Sequence, residues 1–219
     1  MYLNVNKTLT WTKPSDLKSS SQYLSDPSKP VPYTEDVHIR RTSEYMTDDQ
    51  RFASRRPDVL VFQTEILDKD VTVTGPVIAD LMTSISTTDA DYVVKLIDVF
   101  PDDFSYENLS AFNTDLAYPM GGYQMLVFGE IFRGRYRKSF EKPEAFKPGK
   151  IENVRYEMGD VAHTFRMGHR IMIQIQSSWF PLADRNPQKF VNIYKAVESD
   201  FQKSFITIYH NQYVSSKII

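Results

Sequence analysis

Four histidines, His38, His163, His169 and His210, are the side chains that change charge near neutral pH, and so the first candidates for proton transfer or metal binding. A serine hydrolase of the α/β type carries its nucleophile on a G-x-S-x-G elbow, with an acid and a histidine following. No such elbow occurs. Ser177-Ser178 follows a strand-like run but lacks both glycines. His163 and His169 flank one turn, six residues apart with no acid between them, a poor spacing for a metal, so we read them as stabilising that turn. Acidic patches stand at Asp48-Asp49, Asp89 with Asp91, and Asp102-Asp103. Calcium takes such oxygens, but none of these stretches has the glycine and distal glutamate of an EF-hand, so they read as turn and cap groups. Zero cysteines exclude disulfides, thiolate zinc and a cysteine nucleophile. The sequence thus offers no catalytic residue and calls for no metal or cofactor.

Two polar constellations remain. Arg133-Gly134-Arg135-Tyr136-Arg137-Lys138 interleaves cations with an aromatic ring, a pattern that can bind nucleic acid. A net charge of −2 argues against that partner, and pairing with Glu130, Glu141 or a neighbouring domain is expected instead. Arg40-Arg41 and Arg55-Arg56 with Asp58 read as the same polar glue. Asp184-Arg185-Asn186, just before Pro187, looks built to pin a loop through a buried guanidinium–carboxylate pair. A ligand anchor is the competing reading.

The elements that must position these groups are strands. Ile171, Ile173 and Ile175 face one way and Arg170, Met172, Gln174 and Gln176 the other, so Arg170–Gln176 reads as a central strand with an apolar and a polar face. Tyr92–Phe100 is almost continuously apolar around Lys95 and Asp98, as expected of a strand covered on both sides. Val77, Ala79, Leu81, Thr83 and Ile85 alternate within Val77–Ser86, with Val71–Val73 a separate short strand before the Gly75-Pro76 punctuation. Val59–Gln63, Tyr123–Phe132 and Ile151–Met158 read as further strands, residues 2–12 as an edge strand, and Ser204–Val214 as a hairpin arm or edge. Thr47-Asp48-Asp49-Gln50 has the form of a capping box for a helical turn that Pro57 stops. Lys13–Pro32 is rich in Ser, Pro, Lys and Asp and reads as a surface loop, and Ser105–Tyr118 as a polar insertion. Eight to ten strands, one short helix and no βαβ spacing make this an all-β jelly-roll sandwich over residues 1–219. No apolar run reaches the length of a transmembrane helix, so no membrane is expected as a partner.

The stretch GHRIMIQIQSSWFPLADRNPQ, from Gly168 onward, resembles the carboxy-terminal domain of bacterial serine acyl and peptide hydrolases. Those are the X-Pro dipeptidyl-peptidases, cocaine-esterase-like enzymes, α-amino-acid ester hydrolases and glutaryl-7-aminocephalosporanic-acid acylases, and the last two are the nearest. SDPSKPVPY (from Ser25), DQRFASRRPDVLVFQTE (from Asp49), TDADYVVKLIDVFPDD (from Thr88) and GEIFRGRYRKSFEKPE (from Gly129) agree in order. The resemblance implies a galactose-binding-like jelly roll that follows an α/β-hydrolase domain of the same polypeptide, with the Ser-His-Asp chemistry on that domain and none of it here. It also allows a homo-oligomer. It further implies that residues 13–46 lie on the catalytic domain, with Pro32 and Tyr33, then Trp179 and Phe180, walling the substrate pocket; Tyr33 should then be solvent-exposed. The start MYLNVNKTLTWTKP does not read as a signal peptide, and an export signal would precede this sequence, so exported and cytoplasmic placements stay open. A carbohydrate-binding module using Trp11, Tyr118, Tyr123 or Trp179 is the alternative from another class, and a self-contained esterase is disfavoured by the missing elbow.

Overall fold

The computed structural model describes residues 1–40, 42–105 and 119–219; most of the polar insertion at 105–118, and Arg41, lie outside them. Alternation sets the long strands. In β5 (Val71–Ile85) the odd positions from Val77 to Ile85 are buried, and β8 (Glu152–Phe165) pairs with it antiparallel along its length. Val154, Tyr156 and Met158 share the inner face of β8, but past Gly159 the buried positions become Val161 and Phe165. The phase flips because the register slips by one residue opposite Val77/Ile78, a bulge built on Gly159 at φ +140°, a conformation open mainly to glycine.

β5 and β8 belong to a seven-stranded sheet. One end of β5 pairs with β10 (Ser204–Tyr209), which pairs in turn with β3 (Ser20–Ser25). The middle of β5 pairs with β11 (Lys217–Ile218), followed by β1 (Tyr2–Leu3) and β2 (Leu9–Thr10). The second sheet runs β4 (Leu60–Gln63), β9 (Arg170–Gln176), β6 (Asp91–Val99), β7 (Gln124–Arg133), all antiparallel. Leu81, Tyr92, Leu96, Phe165, Ile171 and Ile173 fill the space between the sheets. The chain is an all-β jelly-roll sandwich with eleven strands among the described residues, three of them only two residues long, and one four-residue helix, α1 (Arg51–Ser54).

Several local expectations are corrected. Gly75-Pro76 does not divide two strands: pairing with β8 continues through Val161 and Asp160. Among the described residues, 71–77 have no strand on their other side, where a proline's missing N–H is tolerated. Ser20–Ser25 is not loop but a strand, with Tyr23 in the core, and Val31 is buried too, so only part of 13–46 is surface. Ser204–Tyr209 is interior, flanked by β5 and β3, rather than an edge. Thr47 does not cap α1; it closes a 3-10 turn over Glu44–Met46, and Gln50 stands at the helix start without a side-chain cap. The polar face expected of β9 is covered as well: Gln174 and Gln176 are buried, because the outer face of the four-stranded sheet carries a third layer. That layer is the chain from Val31 through α1 together with the loop after β9, packed through Val31, Ala53 and Val59 and through Tyr33, Val93 and Trp179.

Candidate functional site

The proline-rich segment and the end of β9 meet, although about 150 residues separate them. Phe180 N donates to Val31 O (3.0 Å), Tyr33 N donates to Phe180 O (2.9 Å), and Val31 N donates to Ser178 Oγ (2.8 Å). Pro32, Tyr33, Trp179 and Phe180 therefore occupy one place, but not as an exposed wall. Tyr33 is 6% exposed, against the exposure expected of it, and its ring lies 5.5 Å from that of Tyr45. Trp179 is buried as well, while Phe180 is partly open and lies 5.8 Å from the Arg185 guanidinium. Covering the outer sheet face consumed the aromatics that looked available. Tyr45, which the sequence pattern did not single out, is the ring left over them.

Tyr45, Met46, Leu126, Trp179 and Leu182 line an open apolar groove of about 450 Å³ along β7, with Glu130 at its side. Gly129 allows it. A β-carbon there would stand 2.8 Å from Trp179 Cη2, so any other residue would lift the indole off the sheet. Beneath the indole lies Lys95, fully buried, its amine 2.8 Å from Gln50 Oε1 and 5.2 and 5.7 Å from the ring centroids of Trp179 and Phe52. Burial pushes the amine down to about 7. Around it, Gln174 donates to Gln50 O (3.3 Å) and Gln124 Oε1 (3.4 Å), and Asp49 holds Arg51.

The Asp184-Arg185-Asn186 triplet is organised differently from the expectation. Asp184 is exposed and does not pair with Arg185, whose Nη1 donates to Pro27 O (2.9 Å) and whose plane lies 4.9 Å from the Phe201 ring. The buried member is Asn186, which donates to Asp89 Oδ2 (3.0 Å) and Asp91 Oδ1 (2.8 Å). The arginine cluster converges here: Arg135 pairs with Asp89, and Arg133 stands 3.4 Å from Asp91. Arg137 and Lys138 pair with Glu152 and Glu144, so neither Glu130 nor Glu141 is the partner. Burial pushes Asp91 up to about 7 against the pull of Arg133. Arg185→Ala is therefore expected to cost about 1–2 kcal/mol, one hydrogen bond from a guanidinium to a carbonyl and its stacking on Phe201. Asn186→Ala leaves two buried acids short of a donor and should cost about 2–3 kcal/mol. Urea unfolding of both variants checks the order, and a larger loss for Arg185 would restore the original reading.

Each histidine meets a polar partner, His38 the exposed Glu44 at 3.4 Å. His163 Nε2 and His169 Nδ1 lie 2.9 and 2.7 Å from the two oxygens of buried Asp98, so they do approach each other, through a carboxylate from β6 rather than through their turn. His210 Nε2 lies 2.9 Å from Ser21 Oγ, a serine–histidine contact that the sequence pattern hid. Its ring packs edge-on against Phe62, burial lowers its pKa, and Nδ1 meets no acceptor among the described residues. A base without an orienting partner is not a triad. Of the aromatics weighed for sugar binding, Tyr123 and Trp179 are buried, Trp11 is exposed in the bend after β2, and Tyr118 lies outside the described residues.

Residues 1–211 match the family described as the X-Pro dipeptidyl-peptidase C-terminal non-catalytic domain. Over 175 residues the chain is 36% identical to cocaine esterase from Rhodococcus sp. (strain MB1 Bresler), which covers 80% of this chain and 27% of that protein. It superposes with a TM-score of 0.90 at 40% identity on an aminopeptidase from the marine sediment archaeon Thaumarchaeota archaeon, covering 100% of this chain and 35% of the other. An alpha-amino acid ester hydrolase gives 0.91 at 38% identity, over 99% and 35%. The chain spans about a third of the length of these relatives, or less.

Proposed function

Starting from a chain that belongs to the family of X-Pro dipeptidyl-peptidase C-terminal non-catalytic domains, we propose that it serves a larger serine hydrolase as the domain that docks against the catalytic unit and lends one apolar wall to its substrate pocket. The substrates are esters or amides with an acyl or α-amino-acyl part. The observation that carries this reading is the groove of Tyr45, Leu126, Trp179 and Leu182, an open apolar recess on the layer that covers the four-stranded sheet. In the segment that leads to Tyr45, Val37 and Ile39 are fully exposed, which suits a stretch that a second domain covers. The relatives' greater length supplies room for that domain.

The role is tested in two steps. The chain alone should hydrolyse neither p-nitrophenyl esters nor aminoacyl p-nitroanilides above buffer; saturable turnover abolished by a fluorophosphonate would overturn the assignment. In the full-length enzyme, Tyr45→Ala should change the ratio of kcat/KM between substrates with small and aromatic acyl groups by roughly 10-fold, about what a lost apolar contact is worth. Equal effects on both substrates would remove the groove from substrate recognition.

A further inference from the structure

Lys95 is fully buried at the centre of the four-stranded sheet, and its one hydrogen bond among the described residues goes to Gln50, in the layer that covers that sheet. An ammonium has three protons to place and finds one acceptor here, besides the ring faces of Trp179 and Phe52; a neutral amine leaves fewer polar groups unmet and no buried charge. The charged groups of the surrounding elements are engaged elsewhere. Asp49 takes Arg51, Asp48 accepts from Glu35 N, and Glu130 accepts from Ile131 N. Gln174, opposite Lys95 on β9, is an amide. Among the described residues no carboxylate forms an ion pair with Lys95.

Gln50 is also the hinge point of its segment. Its backbone N–H donates to Gln124 O (3.0 Å) on β7, and its carbonyl accepts from Ala53, Ser54 and Gln174. We propose that Lys95 and Gln50 form a pH-sensitive latch holding residues 44–56 on the outer face of the four-stranded sheet, closed around a neutral amine and released when the amine takes up a proton. Tyr45 and Met46 ride on this segment, so the latch also sets the shape of the groove; that consequence rests on the reading of the groove given above, whereas the latch does not.

The sign follows from linkage. Burial depresses Lys95 from an ordinary 10.5 to about 7 in the closed state, so opening binds a proton between those values. The opening constant then rises by up to about tenfold for each pH unit lost between roughly 10 and 7, and levels off below. Hydrogen exchange on the intact polypeptide carrying this chain reads it directly. Protection of the Gln50, Ala53 and Ser54 amides should be at least tenfold lower at pH 7 than at pH 8.5, after correction for intrinsic rates, while amides of Leu81–Ile85 in β5 should not follow. Lys95→Met should make protection flat across this range. Gln50→Glu, which offers the ammonium a carboxylate, should also flatten it, and serves if the methionine variant does not fold. Flat protection in the unsubstituted protein, or a pH dependence that survives in a folded variant, would overturn the latch. The selectivity of Tyr45→Ala at a single pH is a separate readout, so either idea can fail alone.

Discussion

Replacing Arg135 with alanine is expected to cost about 3–5 kcal/mol of folding free energy, the penalty for stranding a buried charge. Asp89 is fully buried, and Arg135 donates to its Oδ2 through both Nε and Nη2. The guanidinium also donates to Val191 O (2.8 Å) and lies 4.9 Å from the Phe190 ring, so it ties the loop after β9 to the start of β6. Without it, Asp89 keeps only the amide of Asn186 as a side-chain donor among the described residues, and Asn186 must still serve Asp91. Denaturant unfolding should show the loss, with a fall in melting temperature of roughly 10 °C. The double variant Arg135→Met with Asp89→Leu should recover a good part of it, since removing both partners leaves neither charge of the pair stranded. A loss below about 1 kcal/mol for Arg135→Ala would mean that water reaches the cluster.

That cluster shows where reading a sequence stops. Its acids stand at positions 89 and 91, its arginines at 133 and 135 and its amide at 186, and only the crossing of β6, β7 and the loop after β9 brings them together. Charge alternation signalled that the arginines would pair, but local partners such as Glu130 were the natural guess. Within a strand, period and burial are linked by the pleat, so the isoleucines of β9, the inner face of β5 and the two-sided burial of β6 were legible. The third layer was not. It turned the polar side of β9 inward, hid Tyr33 and Trp179, and placed Tyr45 at the groove, through contacts between segments whose sequences carry no period. Asp98 reads as one charge in an apolar strand; that it takes two imidazoles from beyond β6 is a fact of topology.

The same third layer sets the largest pH effect expected of the fold. Lys95→Met should raise the unfolding free energy by about 2–4 kcal/mol at pH 6, with the gain shrinking as pH rises and turning into a loss of about 1–2 kcal/mol as pH approaches 10. A full displacement of the amine from 10.5 to about 7 would correspond to roughly 5 kcal/mol. Part of this is offset by Gln50 Oε1, which loses its donor and costs about 1–2 kcal/mol. The direction is firm: the unfolded chain holds the proton up to about 10.5 and the folded one releases it near 7, so native stability rises with pH across that window and the penalty is complete below it. Asp91 acts oppositely. Its folded value is pushed up to about 7 by burial, so its contribution falls as pH rises from about 4 to 7. Together they predict a dip in stability near neutral pH for the unsubstituted chain. Unfolding by urea at pH 5, 7 and 9 checks this. In Lys95→Met the rise from 7 to 9 should vanish while the fall from 5 to 7 remains, and a rise that persists without the lysine would place its origin in another group.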